Sequence, residues 1–179
     1  MKLEEIKFYF DAQEVAALAR LLALNPPALL ELPEPDMDAA RGALAAAQLI
    51  SGGAGETVVD RVSAFMLSAI CKSRVFLCAR DAAGRYIGLF DAADASFVLT
   101  RGDSRCVIAP FERFDDALAC AEETLCLSTP PFLVRMRGIA GAWEGEYADE
   151  GFAKTASALA AQLHTKERPV WEGMQPWKP

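Results

Sequence analysis

Histidine is almost missing from this sequence of 179 residues, in which His164 is the single example. A nucleophile needs an activating base within hydrogen-bond reach. A thiol site would therefore have to pair His164 with Cys120 or Cys126, and no local motif supports that pair. A histidine near the end of a predicted helix also suits the negative pole of the helix dipole. The sequence predicts no catalytic residues, and an enzyme is the last of three functional hypotheses.

The cysteines lack the spacing of a functional cluster. They number five, an odd count, and no two of them form a CxxC motif. Zinc sites and dithiol redox sites need closely spaced thiolates, so the sequence predicts neither a metal nor a cofactor. Cysteines in reducing compartments behave as small apolar residues that are often buried, and we expect that role here.

Basic residues are also in the minority. Lys and Arg total 18 against 25 Asp and Glu, which gives a formal net charge of −7. Nucleic-acid binding depends on clustered cations that neutralise phosphates, and anionic membrane surfaces attract the same clusters. We therefore expect neither a nucleic-acid partner nor a membrane partner.

Long apolar segments are missing as well. Charged residues interrupt every apolar stretch well before the roughly 18 residues that a membrane-spanning helix requires. The N-terminal sequence MKLEEIKFYF carries charges where a signal peptide needs an apolar core. The sequence thus predicts a cytoplasmic protein without a signal peptide.

Two local patterns resemble fragments of active sites but are incomplete. Residues 51–55 (SGGAG) precede a predicted helix, yet they lack the lysine of a phosphate-binding loop, and Glu56 would repel phosphate. The acidic residues between positions 144 and 150 surround the start of a predicted helix, where the helix dipole stabilises negative charge without any catalytic role. Neither pattern predicts an active site.

Apolar residues make up 53% of the chain, enough to form a sizeable core, and they first follow a helical pattern. After a predicted strand at residues 5–10, Asp11 and Glu14 form a capping-box pattern that begins a helix, which Pro26 ends. Two more helices are predicted at residues 37–50 and 56–72.

The pattern then changes to short segments rich in β-branched and aromatic residues, which predicts a four-stranded antiparallel meander. The predicted strands are residues 74–80, 85–90, 96–101 and 105–109, with Pro110 ending the last. A helix to about residue 127, a fifth strand at residues 132–137, a loop at residues 138–145 and a helix at residues 147–164 follow.

These elements predict an α+β fold, in which an antiparallel meander of four to five strands packs with helices from both ends of the chain. Three helices before a hairpin also give the chain a winged-helix-like start. A DNA-binding version would show basic and amide side chains on the third helix, which here offers Asp60, Arg61 and Lys72 among apolar residues. We assign residues 1–168 to one domain and residues 169–179 to a C-terminal tail.

The tail contains the candidate partner-binding residues Trp171, Met174 and Trp177. Its prolines and glycine argue against a regular element. Tryptophan is enriched at protein contacts because it supplies a large contact area at low entropic cost. Two arrangements stay open: the tail packs along its own domain, or it docks into another chain, including a second copy in a homodimer.

The order of these elements resembles the N-terminal half of the EspG-like chaperones of type VII secretion. The matching phrases are LARLLALNPPALLELP (residues 18–33), residues 40–50 with their glycine-rich exit, and the helix that leads into RVFLCARDAAGRYIGLF. The resemblance extends over about residues 10–125. It implies a cytoplasmic, non-enzymatic protein that binds secretion substrates, and no individual site residue is carried over from it.

The sequence therefore predicts a non-enzymatic protein-binding module, with a chaperone of secretion substrates as its specific form. A winged-helix-like regulator or a small-ligand-binding domain is the alternative. An apolar surface groove or an exposed sheet edge would favour a protein partner.

Overall fold

The computed structural model describes residues 6–52, 56–125, 128–148, 152–169 and 173–178. The helices found there are α1 (Ala12–Leu21), α2 (Met37–Ala46), α3 (Arg61–Lys72), α4 (Phe114–Leu125) and α5 (Phe152–Gln162). The strands are β1 (Phe8–Asp11), β2 (Ile50–Ser51), β3 (Val58–Val59), β4 (Val75–Arg80), β5 (Tyr86–Ala92), β6 (Ala95–Gly102), β7 (Arg105–Phe111), β8 (Phe132–Gly138), β9 (Gly141–Tyr147) and β10 (Gln175–Pro176).

Eight of these strands form one antiparallel sheet in the order β1-β7-β6-β5-β4-β8-β9-β10. The predicted α+β class with an antiparallel sheet is confirmed, and the four meander strands are β4 to β7. The sheet is larger than predicted because both ends of the chain add strands to it. The winged-helix-like start is not confirmed, since the strands after α3 belong to this large sheet.

Each face of the sheet carries its own apolar core, because successive side chains of a strand point to opposite faces. In β4, Phe76 and Cys78 face the first core, whereas Leu77 and Ala79 face the second. Helices α1, α2 and α3 cover the first core, and α4 and α5 cover the second. Helices therefore pack on the sheet from both sides.

The start of α1 is the capping box predicted from Asp11 and Glu14. The Asp11 carboxylate accepts a hydrogen bond from the amide of Gln13, and Glu14 accepts one from the amide of Asp11. Val15 and Leu18 then point into the first core. The local sequence was sufficient to predict this helix cap, because both partners of each hydrogen bond lie within three residues of one another.

The region between α2 and α3 differs from the prediction. Helix α2 ends at Ala46, and α3 begins at Arg61 after its N-cap Asp60. Ile50 pairs with Val59 in a short antiparallel ladder. Adjacent β-branched valines favour strand over helix, which explains why the helix starts later than residue 56. Residues 53–55 of the predicted glycine-rich break lie outside the described residues.

Two strand predictions were wrong. Residues 138–145 were predicted as a loop, but β9 pairs with β8 over seven residues, with Trp143 opposite Met136. Pro110 was predicted to end the meander, but β7 continues to Phe111. Strand β1 pairs with β7 only as far as Ile108, so the missing N–H of Pro110 removes no bond to that neighbour.

The C-terminal part also departs from the prediction. Helix α5 begins at Phe152 rather than at residue 147, because Tyr147 belongs to β9. Residues 175 and 176, which were predicted to be irregular, form β10 and pair with β9. The tail thus forms the edge strand beside β9 in the large sheet.

Candidate protein-binding surfaces

The single histidine lies in an arrangement that does not activate a nucleophile. Nε2 of His164 is 3.3 Å from Oδ2 of Asp91, and the hydroxyl of Ser96 donates to Oδ1 of the same carboxylate at 2.9 Å. The carboxylate thus stands between the histidine and the serine. In a catalytic triad the histidine contacts the serine directly. The ring of His164 also packs edge-on against Phe114, with centroids 4.9 Å apart.

The described cysteines are buried or half-buried thiols. Burial raises the pKa of Cys78 to about 12 and the pKa values of Cys71 and Cys106 to about 11. Burial also raises the pKa of Cys120. Thiolates are the nucleophilic and metal-binding form of cysteine, so these four residues are poorly suited to either task. Cys126 lies outside the described residues.

Two further features are absent from the residues that the structure describes. No three histidine, cysteine or acidic side chains there are grouped in a way that could hold a metal ion. None of the helices described there is long and apolar enough to cross a membrane.

An exposed apolar row runs along α3. Val62 is 50% exposed and Phe65 is 54% exposed, and Val58, just before the helix, is 50% exposed. Ala69 continues the row one turn after Phe65 and is half-buried. We call Val62, Phe65 and Ala69 the α3 row. The opposite side of α3 is buried through Ser63, Met66, Leu67 and Ile70, so Val62 and Phe65 face outward, while the half-buried Ala69 also packs against the first core.

The α3 row leads into a groove between the end of α3 and the turn that joins β5 to β6. The groove encloses about 470 Å³. Phe65 and Ala69 line one side of it, and small residues of the turn line the other. Phe65 packs edge-on against Phe97, with ring centroids 6.4 Å apart, so its ring has a buried partner although the side chain is 54% exposed.

Basic side chains border the α3 row at both ends. Arg61 precedes it, and Lys72 and Arg74 follow it, all three exposed. Among the described residues none of the three forms an ion pair. Asp94 stands on the far side of the groove. The surface therefore has an apolar centre and a charged border, the arrangement of many protein interfaces.

The tail residues contact their own sheet. The ring of Trp177 packs edge-on against Phe76 at a centroid distance of 6.1 Å, and the guanidinium carbon of Arg135 lies 5.0 Å from the centre of the Trp177 ring. Met174 packs against the second core. Trp171 lies outside the described residues. The structure thus brings Met174 and Trp177 to one sheet edge, and their role in partner binding stays a prediction.

Sequence reasoning missed the exposure of the α3 row. Helical spacing in the sequence places Val58, Val62 and Phe65 on one apolar stripe with Met66 and Ile70, yet only the last two are buried. The sequence did carry a signal. Counted at 100° per residue, the large apolar residues of this helix cover about 200° of its circumference, about twice the width of a stripe that faces one core.

No protein-family model matches this chain, and no curated protein matches it at a significant level.

Proposed function

We propose that this protein is a non-enzymatic protein-binding module and that the α3 row with its groove is the docking surface. The observation that carries the proposal is the exposure of Val62 and Phe65 on the outer side of α3. Isolated exposed apolar residues are ordinary, but a contiguous apolar patch with a polar border is typical of an interaction site.

The partner that fits this surface is an amphipathic helix with acidic residues beside its apolar face. The α3 row extends over about two turns, and Ala69 at its end allows a second helix to approach closely. Arg61 and Lys72 supply positive charge at the two ends of α3. Acidic flanks on the partner would complement that charge, and such complementarity sets orientation and association rate.

Phe65 is the expected centre of the binding energy. Hot spots are enriched in large side chains at the middle of an interface, surrounded by contacts that exclude water. Phe65 lies between Val62 and Ala69, and its ring is oriented by the buried Phe97. An anchor held in position loses less conformational entropy on binding than a mobile one.

We further propose that the partner is a secretion substrate and that the protein is cytoplasmic. The resemblance of about residues 10–125 to the EspG-like chaperones of type VII secretion supports this finer assignment. Secretion genes beside the gene for this chain would strengthen it, and genes of unrelated pathways at that position would count against it.

A winged-helix-like regulator or a small-ligand-binding domain is the alternative proposal. The surface of α3 favours a protein partner over DNA, because Val62 and Phe65 face solvent where a recognition helix would present basic and amide side chains.

The proposal is tested by Phe65→Glu, with Ile139→Glu as the matched control. Ile139 is 58% exposed in the turn between β8 and β9, so it controls for adding a charge to an exposed apolar position. Proteins captured by the wild type from an extract of the source cells are identified, purified and titrated by calorimetry. We expect Phe65→Glu to raise the Kd for the partner at least about 30-fold and Ile139→Glu to leave the Kd unchanged.

Lys72→Glu tests the charge argument separately. We expect a smaller loss of affinity for the same purified partner, mainly because association is slower. The loss of affinity should increase as the salt concentration is lowered. Equal binding by the wild type and Phe65→Glu would refute the docking surface.

A further inference from the structure

The last described segment of the chain, residues 173–178, lies against the outer edge of β9. Gln175 pairs with Glu144 and Pro176 with Trp143 in antiparallel register. The amide of Trp177 then donates to the carbonyl oxygen of Ala142 at 2.9 Å. The segment therefore adds a strand to the sheet, which is how many domains bind peptides.

The side chains of this segment straddle the sheet edge. Met174 packs against the second core, and Trp177 packs against the first. Residues three apart in an extended chain point to opposite faces, so one short segment can contact both cores. This spacing defines a pattern, an apolar side chain followed three residues later by an aromatic one.

The aromatic position has a formed binding site. Phe76 contacts the Trp177 ring edge-on, and the Arg135 guanidinium lies over that ring. Glu144 fixes Arg135 through a hydrogen bond of 2.9 Å from Nε. Beside Trp177 a cleft of about 280 Å³ remains, and its lining includes Phe76, Arg137 and Ile70. The site thus holds an aromatic ring and has room for a larger contact.

Glycine at position 145 lets the segment approach the edge. A Cβ atom there would lie 3.0 Å from the carbonyl oxygen of Gly173 and 3.3 Å from Cα of Met174. Alanine there would require a shift of a few tenths of an ångström, and we expect a branched side chain to displace the segment further while β9 stays paired with β8. Position 145 therefore controls access to the edge.

The described residues 173–178 form few backbone bonds to the β9 edge. Strand β10 has two paired residues, and Pro176 has no N–H to donate, whereas β9 is seven residues long. A longer extended segment would gain backbone bonds that β10 does not make. The contacts in place indicate which chemistry binds, and their small number among the described residues is the reason we expect them to be exchanged.

We propose that the β9 edge and the Trp177 cleft form a binding site for an extended segment of another protein. That segment carries an apolar side chain and, three residues later, an aromatic one, and residues 173–178 occupy the site in cis until it arrives. The site includes none of the α3 row residues, although Ile70 at the end of α3 lines the cleft.

The test uses full-length protein and a fluorescein-labelled synthetic peptide, RPVWEGMQPWKP, which has the sequence of residues 168–179. The cis segment competes with the peptide, so the wild type should bind weakly. Trp177→Ala should bind the peptide at least about tenfold more tightly, because a larger fraction of molecules has an open site. Adding Gly145→Val to Trp177→Ala should abolish that binding.

Gly173→Val provides a second route to the open site. Gly173 has a φ of +97°, and no atom lies within 4 Å of an added Cβ atom, so valine strains only the segment itself. We expect it to increase peptide binding in the same direction as Trp177→Ala. Phe65→Glu should leave peptide binding unchanged, which separates this site from the α3 surface.

Three results would overturn the proposal. Trp177→Ala and Gly173→Val could bind no more peptide than the wild type. Gly145→Val could leave the increased binding intact, which would place the peptide elsewhere. Sedimentation could show that the wild type exchanges this segment in a dimer that Gly145→Val disrupts, in which case the occupant is a second copy of the chain.

Discussion

The Asp81 carboxylate accepts a hydrogen bond from Nε of Arg85 at 2.7 Å, although the Asp81 side chain is only 1% exposed. Its Oδ1 atom accepts from the amides of Ala83 and Arg85, and Oδ2 also accepts from the amide of Thr129 at 3.2 Å. One buried charge therefore joins the turn between β4 and β5 to the segment that precedes β8, which is 48 residues away in sequence.

We expect Asp81→Asn to lower the free energy of unfolding by about 2 kcal/mol at pH 7. The NH₂ group of the asparagine would face the N–H donors of Arg85 and Thr129, for which Oδ2 of Asp81 is the acceptor. Asp94→Asn, at an exposed turn position, should change it by less than about 0.5 kcal/mol. Urea titrations of the three proteins measure both values. A similar effect of the two substitutions would show that the Asp81 bonds add little.

The same carboxylate predicts a pH dependence. Burial raises the pKa of Asp81, but the hydrogen bonds from Thr129 and Arg85 outweigh it and hold the pKa below the ordinary 3.8. The stabilisation is therefore complete above the unfolded-state pKa and is lost as the pH falls through the folded-state value. The stability difference between the wild type and Asp81→Asn should shrink below about pH 4. A difference that stays constant down to pH 2 would contradict this assignment.

Two glycines should respond to alanine with opposite signs. At Gly88, a Cβ atom would lie 2.5 Å from the Phe90 ring and 2.5 Å from the Tyr86 hydroxyl, both of which are buried. We expect Gly88→Ala to cost about 1–3 kcal/mol through overpacking. Gly42 lies in α2 with no atom within 4 Å of an added Cβ atom, so Gly42→Ala should stabilise by about 0.5–1 kcal/mol. Thermal unfolding of both variants measures the two signs, and a loss at position 42 would show that α2 is not helical there.

The sequence was a reliable guide where both partners of an interaction are close along the chain. The capping box of Asp11 and Glu14 spans three residues, and its bonds form as predicted. The meander was also predictable, because its strands are short segments rich in β-branched and aromatic residues and each turn lies between neighbouring strands. Local propensity and local pairing agree in these elements.

The rest depends on contacts that the sequence pattern does not display. Glycines 141 and 145 gave β9 the composition of a loop, although pairing with β8 makes it a strand. Which side of α3 is exposed depends on the elements that pack against the helix. The sequence alone could therefore not assign Phe65 to the exposed side. Trp177 was identified as a candidate, but its partners Phe76 and Arg135 are far away in sequence.

The four described cysteines should react slowly in the native state. Their thiols have pKa values raised by burial, to about 12 for Cys78, so little thiolate is present at neutral pH. In Cys126→Ser, we expect an aromatic disulfide reagent at pH 8 to modify these thiols at least about tenfold more slowly in native protein than in urea. Rapid stoichiometric reaction of the folded variant would show that one of the four is accessible.

Asp60 is the N-cap of α3, the helix that carries the proposed docking surface. The stability that this cap contributes can be measured. The Asp60 carboxylate accepts hydrogen bonds from the amide and hydroxyl of Ser63 at 2.9 and 3.0 Å. We expect Asp60→Ala to cost about 1 kcal/mol by chemical denaturation and to speed amide exchange in the first turn of α3. Asp60→Asn should retain most of that stability, because asparagine caps helices about as well as aspartate.

The two Asp60 variants also separate the cap bond from the charge. The amide of Ser63 holds the pKa of Asp60 below 3.8, so wild-type stabilisation is present above that value and is lost as the pH falls through the folded-state pKa. Asp60→Asn lacks this titration, so its deficit relative to the wild type should shrink in acid. If Asp60→Asn were as unstable as Asp60→Ala at pH 7, charge near the helix dipole rather than the Ser63 bond would explain the start of α3.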